Sequence, residues 1–236
     1  MRHRPCVIRT VARADAEVAA RLAAAGVASV HEAQGRSGLL DPTLRPILPD
    51  IRIAGPAVTA HCHPGDNLMV HLAVETCRPG DVLVVAMASA NSDGMLGELL
   101  ATSLRARGVI GVVIDAGVRD VAVLRAMRFP VWSRAISAQG TTKNAAGSVN
   151  VPVVCAGQLV RPGDVMVADD DGVVCVPAEA AIGVAERAEQ RSANEATTRE
   201  KLAKGELSVD LLGLRAVAAR LGIAYDDGPS VDPLNG

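Results

Sequence analysis

The chain has 236 residues and a formal net charge of −2, with 49% hydrophobic and 21% charged residues, enough for one sizeable core. It has no basic run, and Phe129, Trp132 and Tyr225 are its only aromatic residues, so it lacks the charge footprint and the stacking platform of a nucleic-acid binder. Cys6, Cys62, Cys77, Cys155 and Cys175 are odd in number and show no C-x-x-C spacing; with no signal-peptide core and no apolar stretch of membrane length, they read as reduced, buried thiols of a cytosolic protein.

In chain order, Ala12 to Ala25 is alanine-rich and predicts a helix ended by Gly26. Val27 to Val30 predicts a short strand, and His31 to Gly38 a helix or turn. Ile51 to His61 predicts a strand kinked or bulged at Gly55-Pro56. Asp66 or Asn67 can cap a helix from Leu68 to Cys77. Arg78-Pro79-Gly80-Asp81 is a turn before a buried strand, Val82 to Ala88, and the same turn recurs as Arg161-Pro162-Gly163-Asp164 before Val165 to Ala168. Asp169-Asp170-Asp171-Gly172 predicts a hairpin tip leading to Val173–Val176; its acids lack the spacing and the final glutamate of a calcium loop. A long helix is expected from Glu179 to about Lys204, and a shorter one over about Asp210 to Arg220.

The chemistry is concentrated in Gly94 to Asp120. Glu98 to Arg107 has helical composition and ends at Gly108, Val109 to Ile114 predicts a strand covered on both faces, and Asp115 to Asp120 a turn through Gly117. Backbone N–H groups where Gly97-Glu98-Leu99-Leu100 opens the helix favour an anion such as a carboxylate. Arg119 offers a planar fork of donors, and Asp120 a hard oxygen ligand for Mg²⁺ or Mn²⁺. The plainer alternative makes Asp120 the N-cap of a helix over Val121 to Met127 and Arg119 a surface charge. Glu98, in a first helical turn, is favoured there by the helix dipole whatever its function.

The run from Gly97 to Asp120, G-E-L-L-A-T-S-L-R-A-R-G-V-I-G-V-V-I-D-A-G-V-R-D, resembles the class II pyruvate aldolases that cleave 4-hydroxy-4-methyl-2-oxoglutarate and 4-carboxy-4-hydroxy-2-oxoadipate. So do H-E-A-Q-G-R-S-G-L-L from His31, P-G-D-N from Pro64, F-P-V-W-S from Phe129, G-S-V-N-V-P-V-V-C-A-G from Gly147, V-A-D-D-D-G-V from Val167 and A-N-E-A from Ala193. The likeness runs in order from about Thr10 to about Leu221. It implies an α/β fold, a β/β/α swivelling-type sandwich in a single domain over 1–222. The C-terminal helices at about 179–220 would serve oligomer contacts, with a polar tail at 223–236. It implies retro-aldol cleavage of a 4-hydroxy-2-oxo acid with release of pyruvate, the carboxyadipate first and the methylglutarate next, with oxaloacetate decarboxylation as a side activity. Asp120 would hold Mg²⁺ or Mn²⁺ and a water on that ion would remove the C4 hydroxyl proton. Arg119 would stabilise the enolate, the amides of Gly97 to Leu100 would take the substrate carboxylate, and Glu98 would stand beside the metal's waters. The alternative on the same fold is a non-catalytic regulator of a ribonuclease; such regulators lack the acid after the arginine.

Other residues divide between readings. Glu195 falls on nearly the same helical stripe as Ala181, Val184, Ala188 and Leu202. It can pair with Arg199, or, as the resemblance implies, it is delivered to the neighbouring subunit's site in a trimer or hexamer. His71 resembles a histidine the family places near its site. His61 and His63, two apart on one strand, make only a weak metal pair. Of three lysines only Lys143 could form a Schiff base, and its polar neighbours argue against it. Where relatives often carry an acid three places after the Arg-Asp aspartate, this chain has Val123.

Overall fold

The computed structural model describes residues 4–225, and the chain divides into two compact units, Met1–Arg191 and Ser192–Gly236. In the first unit, α1 (Ala16–Ala25) starts where Asp15 accepts the Glu17 N–H at 2.7 Å and stops at Gly26, whose φ of 81° no β-carbon favours. The next segment is not the expected strand but a helix, α2 (Val27–Ala33). Asp169 accepts the Val27 N–H at 2.9 Å and the Val30 N–H reaches the Gly26 carbonyl, so Val27 and Val30 share one buried helical face. β1 (Arg45–Pro46) follows.

β2 (Ile53–Cys62) runs unbroken through Gly55-Pro56. There it changes partners. Residues 53–56 pair antiparallel with β10 (Val165–Asp169), and 57–62 pair parallel with β3 (Val82–Met87). A β-carbon on Gly55 would stand 2.2 Å from the Gly80 carbonyl, so the crossing needs glycine. Between β2 and β3 lies α3 (Leu68–Thr76). β4 (Gly94–Leu96), α4 (Glu98–Ala106), β5 (Gly111–Val118), α5 (Val121–Ala126) and β6 (Val131–Ile136) then come in close succession. β5 does not turn at Gly117 as expected. It continues to Val118 across a register shift, because Gly117 lets the Ser92 carbonyl pass where a β-carbon would be 2.1 Å away. Short strands β7 (Ser148–Val149), β8 (Val153–Cys155) and β9 (Gln158–Val160) lead to β10 and β11 (Gly172–Val176), joined by the expected aspartate hairpin.

Both Arg-Pro-Gly-Asp turns launch buried strands by one device. Gly80 and Gly163 have φ of 89° and 91°, and Asp81 and Asp164 accept the N–H of Arg78 and Arg161 at 2.7 and 2.8 Å.

The main sheet has the order β1-β6-β5-β3-β2-β10-β11. Period-two alternation sends its side chains into separate cores. Val58 and Cys62 of β2, Leu83 and Val85 of β3 and Val112 and Ile114 of β5 pack under α3 and α4. Val84, Val113 and Trp132 point the other way and meet Met166, Ala168, Val173 and Cys175 of β10 and β11, so the sheet folds back on itself as two layers. The Trp132 indole closes this seam by donating to the Asp169 carbonyl at 2.8 Å. Val165, Val167, Val174 and Val176 pack outward against α1, α2 and the start of α6 (Ala181–Ala203). This is the mixed α/β sandwich expected. The thiols are free, and burial pushes those of Cys62 and Cys77 up to about 12 and raises those of Cys155 and Cys175 as well.

In the second unit the single helix expected over 210–220 is two, α7 (Ser208–Leu211) and α8 (Leu214–Arg220). Gly213, at φ 65°, separates them. The tail expected at 223–236 lies outside the described residues from 226 onward. Among the described residues no helix is long and apolar enough to cross a membrane.

Candidate active site

β4 and β5 run parallel and end level, with Leu96 beside Val118. The residues after each strand therefore meet: Gly97-Glu98 opens α4, and Arg119-Asp120 leads into α5. The Arg119 N–H donates to the Leu96 carbonyl at 2.9 Å, which fixes this junction.

Asp120 holds a left-handed backbone, φ 56° and ψ 32°, a conformation that aspartate tolerates better than most residues. Its carbonyl receives the N–H groups of Val123 and Leu124, starting α5, while its side chain makes no cap to that helix. Instead Oδ2 accepts the Glu98 N–H at 3.0 Å, at the N-terminus of α4. The plain N-cap reading is thus half right. Asp120 occupies the cap position of α5 by backbone but serves α4 by side chain. Of the amides expected for a substrate carboxylate, that of Glu98 is already engaged. Those of Leu99 and Leu100 lie in the first turn, where no helical carbonyl precedes them.

Arg119 lies beside Asp120, Nε to Oδ2 3.8 Å, both partly exposed. Three glycines make room for the pair. A β-carbon on Gly97 would come within 2.3 Å of Asp120 Oδ2 and 3.2 Å of Arg119 Nε; one on Gly94 would meet Arg119 Cβ at 3.1 Å, and one on Gly140 Arg119 Nη1 at 3.3 Å. Gly97 has φ −145°, open to any residue, so its requirement is space alone.

A hollow of about 700 Å³ lies against this junction, and Gly97, Glu98, Leu99, Leu100, Arg119, Asp120 and His71 all line it. The expected residues of the first unit are thus brought together. Glu195 is a half-buried residue of α6 in the second unit. His61 and His63 line a different cavity, beside Met87 and Ser148. Val123, where relatives often carry an acid, contributes an exposed apolar side chain to the main hollow.

Two polar wall residues were not read from the sequence as part of this site. Lys143, weighed there as a Schiff-base lysine and set aside, is one. Its loop is tied down by Asp66, whose Oδ2 accepts the Thr142 hydroxyl at 2.7 Å, the Ala145 N–H at 3.0 Å and the Asn144 N–H, while Oδ1 accepts the Leu68 N–H at 3.0 Å. Burial opposes the Asp66 charge, but these donors, led by Asn144, outweigh it and hold its pKa down at about 2. Asp66 thereby joins the start of α3, which carries His71, to the loop that carries Lys143. Desolvation by burial and then the positive charge of Lys143 both lower the pKa of His71, which favours its neutral ring. The other residue is Asn67, whose amide donates to the Met95 carbonyl at 2.9 Å. Its Oδ1 is buried and accepts no hydrogen bond among the described residues.

The acidic residues lining the hollow are Asp120 and Glu98. Among the described residues no three His, Cys, Asp or Glu side chains cluster as a metal cage. One or two carboxylates suit a hard ion that keeps most of its water, as Mg²⁺ does. Asp120 and Glu98 are hard oxygen donors of the kind Mg²⁺ or Mn²⁺ would take.

Comparison with known proteins shows which family the chain belongs to. A protein from Halalkalibacterium halodurans named "Putative 4-hydroxy-4-methyl-2-oxoglutarate aldolase" is 30% identical over 182 residues, covering 77% of this chain and 84% of its own. A Burkholderia multivorans protein of the same name is 36% identical over 142 residues, 60% of this chain and 86% of that one. Among solved structures, Streptomyces coelicolor RraAS2, described as an unusual member of the RNase ES inhibitor RraA family, superposes with a TM-score of 0.72 at 28% identity, over 80% of this chain and 99% of that one. The RraA-like family model, described as Aldolase/RraA, matches residues 14–175, which include His71, Glu98, Arg119, Asp120 and Lys143. The chain belongs to the RraA-like Aldolase/RraA family.

Proposed function

We propose that this protein is a divalent-metal-dependent lyase that cleaves the C3–C4 bond of 4-hydroxy-2-oxo acids and releases pyruvate, with 4-carboxy-4-hydroxy-2-oxoadipate and 4-hydroxy-4-methyl-2-oxoglutarate as candidate substrates. The observation that supports it is the meeting of Arg119, Asp120 and the opening turn of α4 in one hollow. The amides of Leu99 and Leu100 receive the substrate carboxylate. Arg119 directs its fork at the keto oxygen. Asp120, with Glu98 beside it, would hold a divalent ion, which would supply positive charge that favours the enolate.

In the cleavage the C4 hydroxyl gives up its proton and C4 becomes a carbonyl. The C3–C4 electron pair stays with C3, is shared with the keto oxygen as an enolate, and a proton returned to C3 completes pyruvate. Two groups on the wall can hold the departing proton, the Glu98 carboxylate and the His71 ring, whose neutral form burial and Lys143 favour. The enolate is the charge that Arg119 stabilises. Oxaloacetate decarboxylation forms the same enolate and is expected as a side activity.

The second unit supports assembly. α7 and α8 bury no residue, while Leu207, Leu212, Leu214, Leu221 and Ile223 are exposed. A surface of that kind calls for a protein partner. The occupant we propose is another copy of the chain, in a trimer or hexamer, with Glu195 delivered to the neighbour's site.

The alternative is a protein-binding regulator, the role in the description of the RraAS2 family. Asp120 favours the enzyme. The test is pyruvate release from both candidate substrates and from oxaloacetate, with Mg²⁺ and with chelator. Turnover that chelator abolishes supports the lyase; none from any of the three overturns it.

A further inference from the structure

Arg119 and Asp120 have a second side. A smaller hollow of about 300 Å³ is bounded by Arg119, Asp120, Val121, Ile136, Ser137 and Ala138. It shares Arg119, Asp120 and Val121 with the larger one, so these residues form a partition between the two. The fold makes this adjacency. β5 and β6 are parallel with Val118 opposite Ile136, and the Ser137 N–H donates to the Val118 carbonyl at 2.9 Å. The residues just past β5 therefore face the end of β6.

The two sides differ in chemistry. The larger hollow carries Lys143, Glu98, His71 and the helix amides. Beyond the partition, the smaller offers one hydroxyl, Ser137, and the apolar surfaces of Ile136 and Ala138. Ile136 is 65% exposed, although it sits at the carboxyl end of a parallel strand, where α/β proteins hold their ligands.

We infer that the smaller hollow receives the substituent at C4 of the substrate, and that Ile136 selects an uncharged alkyl group there: 4-methyl in preference to 4-carboxymethyl. This rests on the lyase reading above. A retro-aldol substrate has two halves. With the pyruvyl half on the amides of α4 and the scissile bond over Arg119 and Asp120, the remaining half points across the partition. A methyl group sheds water against Ile136 and Val121. Both substrates carry a carboxylate on C4 and differ in the methyl or carboxymethyl group beside it. The carboxymethyl group brings a second anion against Ile136, Val121 and Ala138, where Arg119 is the one cation among the lining residues and its fork is directed at the keto oxygen. Desolvating that anion without a partner is the larger effect.

The experiment is kcat/KM for 4-hydroxy-4-methyl-2-oxoglutarate and for 4-carboxy-4-hydroxy-2-oxoadipate, each with Mg²⁺, on wild type and on Ile136→Arg. Both substrates are measured on one preparation, so that any inactive fraction cancels in their ratio. Wild type should favour the methyl substrate, and Ile136→Arg should move the ratio toward the carboxymethyl substrate by about tenfold. A wild type that favours the carboxymethyl substrate, or a ratio that moves by less than about threefold, overturns the inference while leaving the lyase reading intact. Wild type that releases pyruvate from neither substrate and does not decarboxylate oxaloacetate overturns the lyase reading and this inference together.

Discussion

Gly97 is the residue on which the site's geometry turns, although it has no side chain to do chemistry with. Its backbone conformation is open to alanine, yet a β-carbon there would occupy the place of Asp120 Oδ2, 2.3 Å away. Gly97→Ala is therefore expected to fold normally, with a thermal midpoint near that of wild type, and to swing the Asp120 carboxylate off the Glu98 amide. Since misplacing a reacting group by about 1 Å costs roughly a hundredfold, kcat/KM for oxaloacetate decarboxylation should fall by about that factor. A variant of unchanged activity would show that Asp120 acts from some other position. Arg119 poses a different question, because enolate charge appears only as the bond breaks. Arg119→Lys keeps the charge but loses the planar fork. Its kcat should fall, by about tenfold or more, further than KM rises. A change confined to KM would make Arg119 a binding residue only.

At the scale of elements, Asp66 is the clamp between the α3 N-terminus and the 142–145 loop, and so between His71 and Lys143. Asp66→Asn puts an amide donor among backbone donors and should cost about 1–3 kcal/mol of stability, measured by urea unfolding. The pKa of Asp66 is depressed on folding, to about 2 from its ordinary 3.8. Its stabilisation is therefore complete above pH 4 and is lost as pH falls toward 2, so the gap between wild type and Asp66→Asn should close over that window. A gap that stays constant from pH 5 to pH 2 would separate the clamp from the carboxylate's charge. This clamp also marks what the sequence could not disclose. The elements from Gly94 to Asp120 were readable because glycine punctuation and residue period are local signals. The bond from Asp120 to the Glu98 amide was not, for it joins residues 22 apart through a left-handed backbone. Lys143 was set aside for its polar neighbours, yet those neighbours bind Asp66 and place it on the wall. Val27–Val30 was read as a strand because four residues are too few to separate a period of 2 from one of 3.6. The helix was decided by Asp169, far along the chain, taking the Val27 N–H.

For the whole molecule the question is how many chains make one site. The family model's match ends at residue 175, before Glu195, so the case for this residue rests on the resemblance of A-N-E-A from Ala193 and on the helix that carries it. Glu195 shares its helix with Ala181, Val184, Ala185 and Ala188, which are buried in the first unit, so the same helix that anchors there leads on toward the exposed leucines of α7 and α8. Small side chains along an anchoring helix, followed by large exposed ones, suit a segment that packs on a second copy. If Glu195 completes a neighbour's site, Asp120→Ala and Glu195→Ala are each inactive alone, since every site lacks one of the two groups. Mixed in equal amounts, dissociated and reassembled at random, about a quarter of the interfaces join an intact Asp120 to an intact Glu195. The mixture should therefore regain about that fraction of wild-type turnover, while each variant taken through the same cycle alone regains none. Mass measurement on differently tagged chains must show that mixed oligomers formed. Mixed oligomers without recovered activity, or a monomer with full turnover, would return Glu195 to its own chain.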